Sequence, residues 1–176
     1  MAKPLANGYP IGAVMMREEV AQTMSVGKFW NTQLISPPSI THNSAISGTH
    51  GTTFGGSPLA CAIGHHVLQR LSDKTFTESI KENSGYLKER LVQITKWFPD
   101  LVQPEVRGRG LILGLGFHDG KVPGQVQSLA RERGVLILTA GKDALRLVPS
   151  LNVGKEEVDI AMDVLEGCLG VVGKSK

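Results

Sequence analysis

Two stretches in the middle of the chain repeat apolar residues with the period of an α-helix. In the first, apolar residues recur every four positions, at Leu59, Ile63, Val67 and Leu71. Ser57 is suited to cap this helix, and Pro58 fits its first position. In the second, the apolar residues of one face are Phe76, Ile80, Leu87, Leu91, Ile94 and Phe98. The pattern therefore predicts two successive helices, the second of which ends before Pro99.

The pattern changes after Pro99 to short runs that are typical of β-strands. These runs are VQPEVRG at 102–108, LILGLGF at 111–117, GVLIL at 134–138 and ALRLVPS at 144–150. A helical segment, QVQSLARER, separates the second run from the third. The tail from Lys155 is amphipathic through Val158, Met162, Leu165 and Leu169. Strands that alternate with helices predict a small α/β domain over 99–176.

The first part of the chain gives a weaker pattern. IGAVMM at 11–16 has the length of a strand, and REEVAQTM at 17–24 has the acidic first turn of a short helix. Residues 28–48 contain a Pro-Pro pair and no sustained period, which predicts an irregular segment. One strand and two helices cannot bury both faces of a sheet. We therefore expect the core partners of 1–72 to lie upstream or on another chain.

Composition narrows the class of protein. The 176 residues are 41% hydrophobic and 20% charged, which is typical of a soluble domain, and no apolar run approaches the roughly 18 residues that span a membrane. The 19 basic and 16 acidic residues are interspersed, so nucleic acid is not expected as a partner. Cys61 and Cys168 predict buried thiols in a reducing compartment. Glycine, at 21 residues, clusters in short motifs, which indicates backbone that turns tightly or approaches a ligand.

Four motifs contain the residues with candidate chemistry. They are AKPLANGYPIGA at 2–13, THGTTFGGSPLACAIG at 49–64, VRGRGLILGL at 106–115 and LRLVPSLN at 145–152. The second motif sets hydroxyls and glycines before a helix, an arrangement that suits an anion, although these residues alone favour an ordinary turn and cap. Arg146 alternates with Leu145 and Leu147 and therefore points away from them. Arg107 and Arg109 are open to two interpretations, as anion ligands or as part of a turn.

Cys61 and His65 lack a second ligand pair, so no metal is expected.

In this order, the four motifs resemble the class III aminotransferases, which use pyridoxal 5′-phosphate (PLP). The resemblance covers nearly the whole chain apart from 28–48. It implies an α/β fold, the C-terminal part of a fold-type I PLP-dependent transferase. Residues 1–72 would then be the end of the large domain, 73–98 a connecting helix and 99–176 the small C-terminal domain.

The same resemblance implies roles for three residues. Lys3 would form a Schiff base with PLP and move the proton between the substrate Cα and the cofactor. Thr53 would bind the cofactor phosphate of a neighbouring subunit, which implies a homodimer. Arg146 would hold the substrate α-carboxylate with its planar guanidinium. The family's aspartate for the pyridine nitrogen lies upstream of this motif set, so the chain alone is expected to be inactive, at most an interaction piece.

Within the family, the motifs are most similar to those of members that transfer an amino group from N-acetylornithine to 2-oxoglutarate in arginine biosynthesis. Ornithine and 4-aminobutyrate are the alternative amino donors. Residues 28–48 interrupt a join that the family makes directly, and their codons can contain splice donor and acceptor sequences. We therefore interpret them as a retained intron, with a genuine surface loop as the alternative. An intron implies a eukaryotic source and the mitochondrial matrix; otherwise the cytoplasm is expected.

Overall fold

The computed structural model describes residues 3–15, 17, 19–20, 53 and 55–174. It divides the chain into two compact units, Met1–Ser72 and Asp73–Lys176. Residues 28–48 lie outside the described residues, as do most residues of the predicted helix 17–24, of which Glu19 and Val20 are helical. No helix in these described ranges is long and apolar enough to cross a membrane.

The first unit contains a 3₁₀ helix, Lys3–Ala6, and helix α1, Pro58–Leu71. The two helices contact each other. Ala60 and Gly64 are the buried residues of α1, and a Cβ added to Gly64 would lie 3.1 Å from the Cδ1 atom of Ile11. The small residues on this face of α1 therefore allow the N-terminal segment to approach the helix closely.

Two predictions for this unit are wrong, those of the strand and of the buried Cys61, and the one for Ser57 is confirmed only in position. Residues 11–15 of the predicted strand are irregular, and Met15 is 84% exposed. A strand needs a partner for its backbone hydrogen bonds, and no strand is found among the described residues of this unit. Ser57 stands at the N-cap of α1, but its side chain makes no capping hydrogen bond. Cys61 is exposed, because it is rotated by about 100° from the buried Ala60.

The second unit contains three helices and a four-stranded sheet. The elements are α2 Lys74–Trp97, β1 Val102–Arg109, β2 Ile112–Phe117, α3 Val122–Glu132, β3 Leu138–Ala140, β4 Ala144–Leu147 and α4 Lys155–Lys174. The strand order is β1-β2-β4-β3, and every neighbouring pair is antiparallel. Helices α2 and α3 contact strands, and α4 packs against both helices. The α/β composition predicted for 99–176 is confirmed.

Alternation along the strands separates a core face from an outer face of the sheet. On β2, Leu113, Leu115 and Phe117 are buried in the core, whereas Ile112 is exposed. The apolar face predicted for α4 is confirmed, since its residues Val158, Met162, Leu165 and Leu169 are all buried. The helices therefore cover one face of the sheet and leave residues such as Ile112 exposed on the other.

The predicted strand 134–138 begins later than its apolar run suggests. Gly134 has a φ of 84° and donates to the carbonyl of Arg131 at 3.1 Å, while Val135 donates to the carbonyl of Ala130 at 2.9 Å. These two bonds form a Schellman motif, which ends α3. The chain therefore joins the sheet only at Leu138.

Ion pairs and a hydrogen bond connect α2 with α4. Arg90 forms ion pairs with Asp159 and Asp163, and the Tyr86 hydroxyl donates to the Asp159 carboxylate at 2.6 Å. Lys155 forms a further ion pair with Glu82 at 2.6 Å. These pairs lie at the protein surface, so they orient the helices more than they stabilise the fold.

Candidate functional site

The N-terminus of α1 has the local chemistry of an anion site. Thr53 is exposed in a turn, and Gly56, with a φ of 72°, leads into the N-cap residue Ser57. The first turn of α1 contains no acidic residue. Backbone N–H groups at a helix N-terminus have no partner within the helix and favour negative charge. A phosphate group therefore fits this end of α1.

Lys3 lies in the same unit as this N-terminus. It is the first residue of the 3₁₀ helix, which contacts α1, and its side chain is outside the described part of the structure. A tight turn follows, in which Asn7 has a φ of 49° and Gly8 a φ of 100°. Tyr9 donates to the carbonyl of Ala6 at 3.1 Å across this turn. The structure thus brings the segment that begins at Lys3 against the helix that Thr53 precedes.

Arg146 lies in the second unit, on the outer face of the sheet. Its neighbours on β4, Leu145 and Leu147, are buried, whereas Arg146 is exposed. The direction predicted from their alternation is therefore confirmed. Arg146 is the register partner of Gly114 on β2 and of Leu138 on β3.

A second arginine occupies the same row of the sheet. Arg107 on β1 is also the register partner of Gly114, so the glycine stands between the two arginines. The Nη2 group of Arg107 donates to the Oε1 atom of Gln103 at 2.7 Å. The Nε2 group of Gln103 donates in turn to the carbonyl of Phe117 at 2.9 Å. The sequence alone is compatible with two interpretations of Arg107, and it does not indicate Gln103 as a site residue. The contact between the two residues depends on the strand register, which spacing does not reveal.

The ion pairs of the described residues lie elsewhere. They involve Arg90 and Lys155 on α2 and α4, and neither Arg107 nor Arg146 takes part in one. Cys168 is a buried residue of α4, and loss of solvation raises the pKa of its thiol. The outer face of the sheet, in contrast, contains Arg107 and Arg146, neither of which forms an ion pair with another described residue.

Comparison with known protein families identifies the class. The family model described as aminotransferase class-III matches residues 1–169. The chain therefore belongs to the class III aminotransferase family, and the resemblance seen in the four motifs is confirmed.

Individual relatives narrow the comparison. The chain is 38% identical over 166 residues to the mitochondrial acetylornithine aminotransferase of Yarrowia lipolytica, a match that covers 94% of this chain and 34% of that protein. Other mitochondrial acetylornithine aminotransferases match in the same way, so the chain spans about a third of the length of these curated relatives.

Solved structures agree with this grouping. N-acetylornithine aminotransferase from Stenotrophomonas maltophilia is 32% identical, with a TM-score of 0.62 over 69% of this chain and 34% of that chain. Lysine aminotransferase from M. tuberculosis, solved in the internal aldimine form, is 26% identical, with a TM-score of 0.67 over 73% of this chain and 29% of that chain. The fold predicted from the motifs is therefore confirmed as that of aminotransferases.

Proposed function

We propose that this chain is part of a PLP-dependent aminotransferase that transfers an amino group from N-acetylornithine to 2-oxoglutarate. The observation that carries the proposal is the acid-free N-terminus of α1, preceded by Thr53 and in contact with the segment that begins at Lys3. The names of the matched relatives support N-acetylornithine as the donor. The word mitochondrial in the names of the curated relatives supports a mitochondrial location, and the family resemblance implies a role in arginine biosynthesis.

The described residues fit PLP at its phosphate end. The phosphate is a dianion with strong acceptor oxygens, and the first turn of α1 offers N–H donors without a competing carboxylate. The exposed Thr53 hydroxyl is a further donor. Following the family, we assign this phosphate to the cofactor of a second subunit, so the proposed assembly is a homodimer.

Lys3 and Arg146 have separate roles in the proposed reaction. Bound PLP supplies an electron sink that stabilises negative charge at the substrate Cα. Lys3 holds the cofactor and, when its amine is unprotonated, moves the proton at Cα. Arg146 donates two parallel N–H bonds to the substrate α-carboxylate, a geometry that an ammonium group cannot offer. Its exposure on the sheet leaves the guanidinium accessible to the substrate.

A chimaeric enzyme tests this function. Residues 1–169, without 28–48, replace the matching third of the Yarrowia lipolytica relative, and glutamate formation from 2-oxoglutarate is measured with N-acetylornithine, ornithine and 4-aminobutyrate. We expect N-acetylornithine to be the preferred donor. Lys3→Ala should reduce the rate by about 100- to 10,000-fold, the usual range for a general base.

Two results would contradict the proposal. If the folded chimaera transfers the amino group no faster than its Lys3→Ala variant, the assignment of Lys3 as the catalytic lysine is wrong. A chimaera that prefers ornithine or 4-aminobutyrate would keep the class of reaction and change the substrate. Lys121→Ala, on the surface loop before α3, serves as the matched lysine control.

A further inference from the structure

Helix α4 has a second apolar stripe, on a side that its buried face does not include. We call it the α4 stripe and define it by Ile160, Val164, Gly167 and Val171. Ile160 is 62% exposed and Val171 is 45% exposed, whereas Val164 is half-buried. Each residue turns the helix by about 100°, so the four positions lie within a sector of about 60°. The core of the second unit therefore does not account for Ile160 and Val171.

The α4 stripe has the same spacing when it is read from either end. From Glu157 through the stripe to Lys174, the successive positions are 3, 4, 3, 4 and 3 residues apart. Alternating steps of three and four residues are typical of helices that pair side by side along a seam. A second copy that runs in the opposite direction would meet this series position by position, with Ile160 facing Val171. A twofold axis requires this kind of self-complementary surface.

The charges at the two ends of the stripe favour the same arrangement. Glu157 is exposed in the first turn of α4, and Lys174 is exposed in its last turn. Neither residue belongs to an ion pair of the described residues. In an antiparallel pair of helices, Glu157 of each copy lies beside Lys174 of the other, whereas a parallel pair brings like charges together.

Gly167 leaves room for a second helix. A Cβ added to Gly167 would have no neighbouring atom of the described residues within 4 Å, so packing within the chain does not require a glycine here. Glycine inside a helix lowers its stability relative to alanine. In the antiparallel arrangement, Gly167 of one copy faces Val164 of the other, and a small residue at such a contact lets the two helix axes approach closely.

We propose that α4 pairs with α4 of a second copy of this chain, antiparallel about a twofold axis. The seam consists of the α4 stripe, with an ion pair between Glu157 and Lys174 at each end. This contact is separate from the homodimer of the proposed function, which involves Thr53 in the first unit. One pair of helices buries less than the roughly 1,200 Å² of a standard interface. The association is therefore weak, with a Kd of about 0.01 to 1 mM.

Sedimentation velocity of the 176-residue chain at low ionic strength measures this pairing over about the same range of concentration. Ile160→Glu should raise the Kd at least about tenfold, because it places an unpaired charge in both halves of the seam. Ile112→Glu is the matched control, since Ile112 is also 62% exposed but lies on the sheet, and it should change the Kd less than about twofold. Circular dichroism of each variant confirms that the fold is retained.

Charge reversal tests the direction of the two helices. Lys174→Glu should raise the Kd at least about threefold, because both ends of the seam then carry only acidic groups. An equimolar mixture of this variant with Glu157→Lys should restore the unmodified Kd to within about twofold, since opposite charges meet again at each end. Glu157 also accepts from the Gly154 N–H group at 2.9 Å, so Lys174→Glu alone decides the direction if Glu157→Lys unfolds.

Three results would overturn the pairing. A chain that stays monomeric at about 1 mM would assign the α4 stripe to a different partner. Association that Ile160→Glu does not weaken, or that Ile112→Glu weakens equally, would arise from another surface, such as the proposed homodimer, and would leave the proposed function intact. An unchanged Kd in Lys174→Glu would contradict the antiparallel direction, because in a parallel pair like charges meet before and after this substitution.

Discussion

Gly108 occupies the most restrictive backbone position of the β1–β2 hairpin. Its φ is +105°, and an added Cβ would lie 2.1 Å from the carbonyl oxygen of Ile112. Gly110, in the same hairpin, has a φ of +59° and nothing within 4 Å of an added Cβ. The two glycines therefore separate backbone conformation from steric contact, and alanine substitutions measure each contribution.

The expected free energies follow from these two environments. Gly110→Ala should lower the free energy of unfolding by about 1 kcal/mol, the cost of a left-handed conformation for an L-residue. Gly108→Ala should lower it by about 3 to 4 kcal/mol, because the Ile112 carbonyl must also move and weaken its ladder hydrogen bond. Gly124→Ala in α3, with no contact within 4 Å and no positive φ, should instead raise it by about 0.5 kcal/mol.

Urea denaturation followed by circular dichroism gives these differences from the unfolding midpoints, provided that the dependence on urea is unchanged. An equal cost for Gly108→Ala and Gly110→Ala would refute the steric argument. It would show that the hairpin relaxes freely around a Cβ at position 108, and the strand register that places Arg107 opposite Gly114 would then lose its support.

Three further predictions concern other parts of the molecule. Cys61 should react rapidly with a thiol reagent in the native chain and Cys168 only on unfolding, because burial both shields the Cys168 thiol and raises its pKa; equal rates would contradict this. Lys155 lowers the pKa of Glu82, so the stability lost in Glu82→Gln should be present at neutral pH and disappear as the pH falls below about 4 in urea titrations; a difference that persists in acid would oppose it. If 28–48 is a retained intron, the chimaera without it should bind PLP more strongly, measured by absorbance, than a chimaera that retains it; unfolding or unchanged binding on its removal would favour a genuine loop.

The helices of the second unit could be predicted from the sequence, because the spacing of apolar residues is enough to identify a helix and its buried face. In α2, Leu87, Leu91 and Ile94 share one face in the sequence and are buried in the structure. The Asp73 carboxylate also accepts from the Phe76 N–H group at 2.9 Å, a local cap that fixes the start of the helix. The interactions that form one helix join residues that are close in sequence, so a single stretch of sequence is enough to predict the helix.

Features that depend on distant partners could not be predicted in this way. The run at 11–16 has the composition of a strand, but strand formation requires a neighbour that the described part of the first unit does not provide. The contact between Gln103 and Arg107 over Gly116 depends on an irregularity of register between Val102 and Val106, which spacing alone does not reveal. The roles of Lys3, Thr53 and Arg146 came from the family motifs, since each residue alone is compatible with an ordinary surface position.

The cofactor lysine is the most direct test of the proposed function. The 176-residue chain is incubated with PLP, reduced with borohydride and digested, and mass spectrometry locates the pyridoxyl group. Lys3 should carry most of the label, and pyridoxal without its phosphate should label Lys3 much less, because the N-terminus of α1 from the second subunit of the proposed homodimer then has no anion to bind. Label spread evenly over surface lysines such as Lys121 and Lys142, unchanged in Lys3→Ala, would contradict the assignment of this chain's cofactor site.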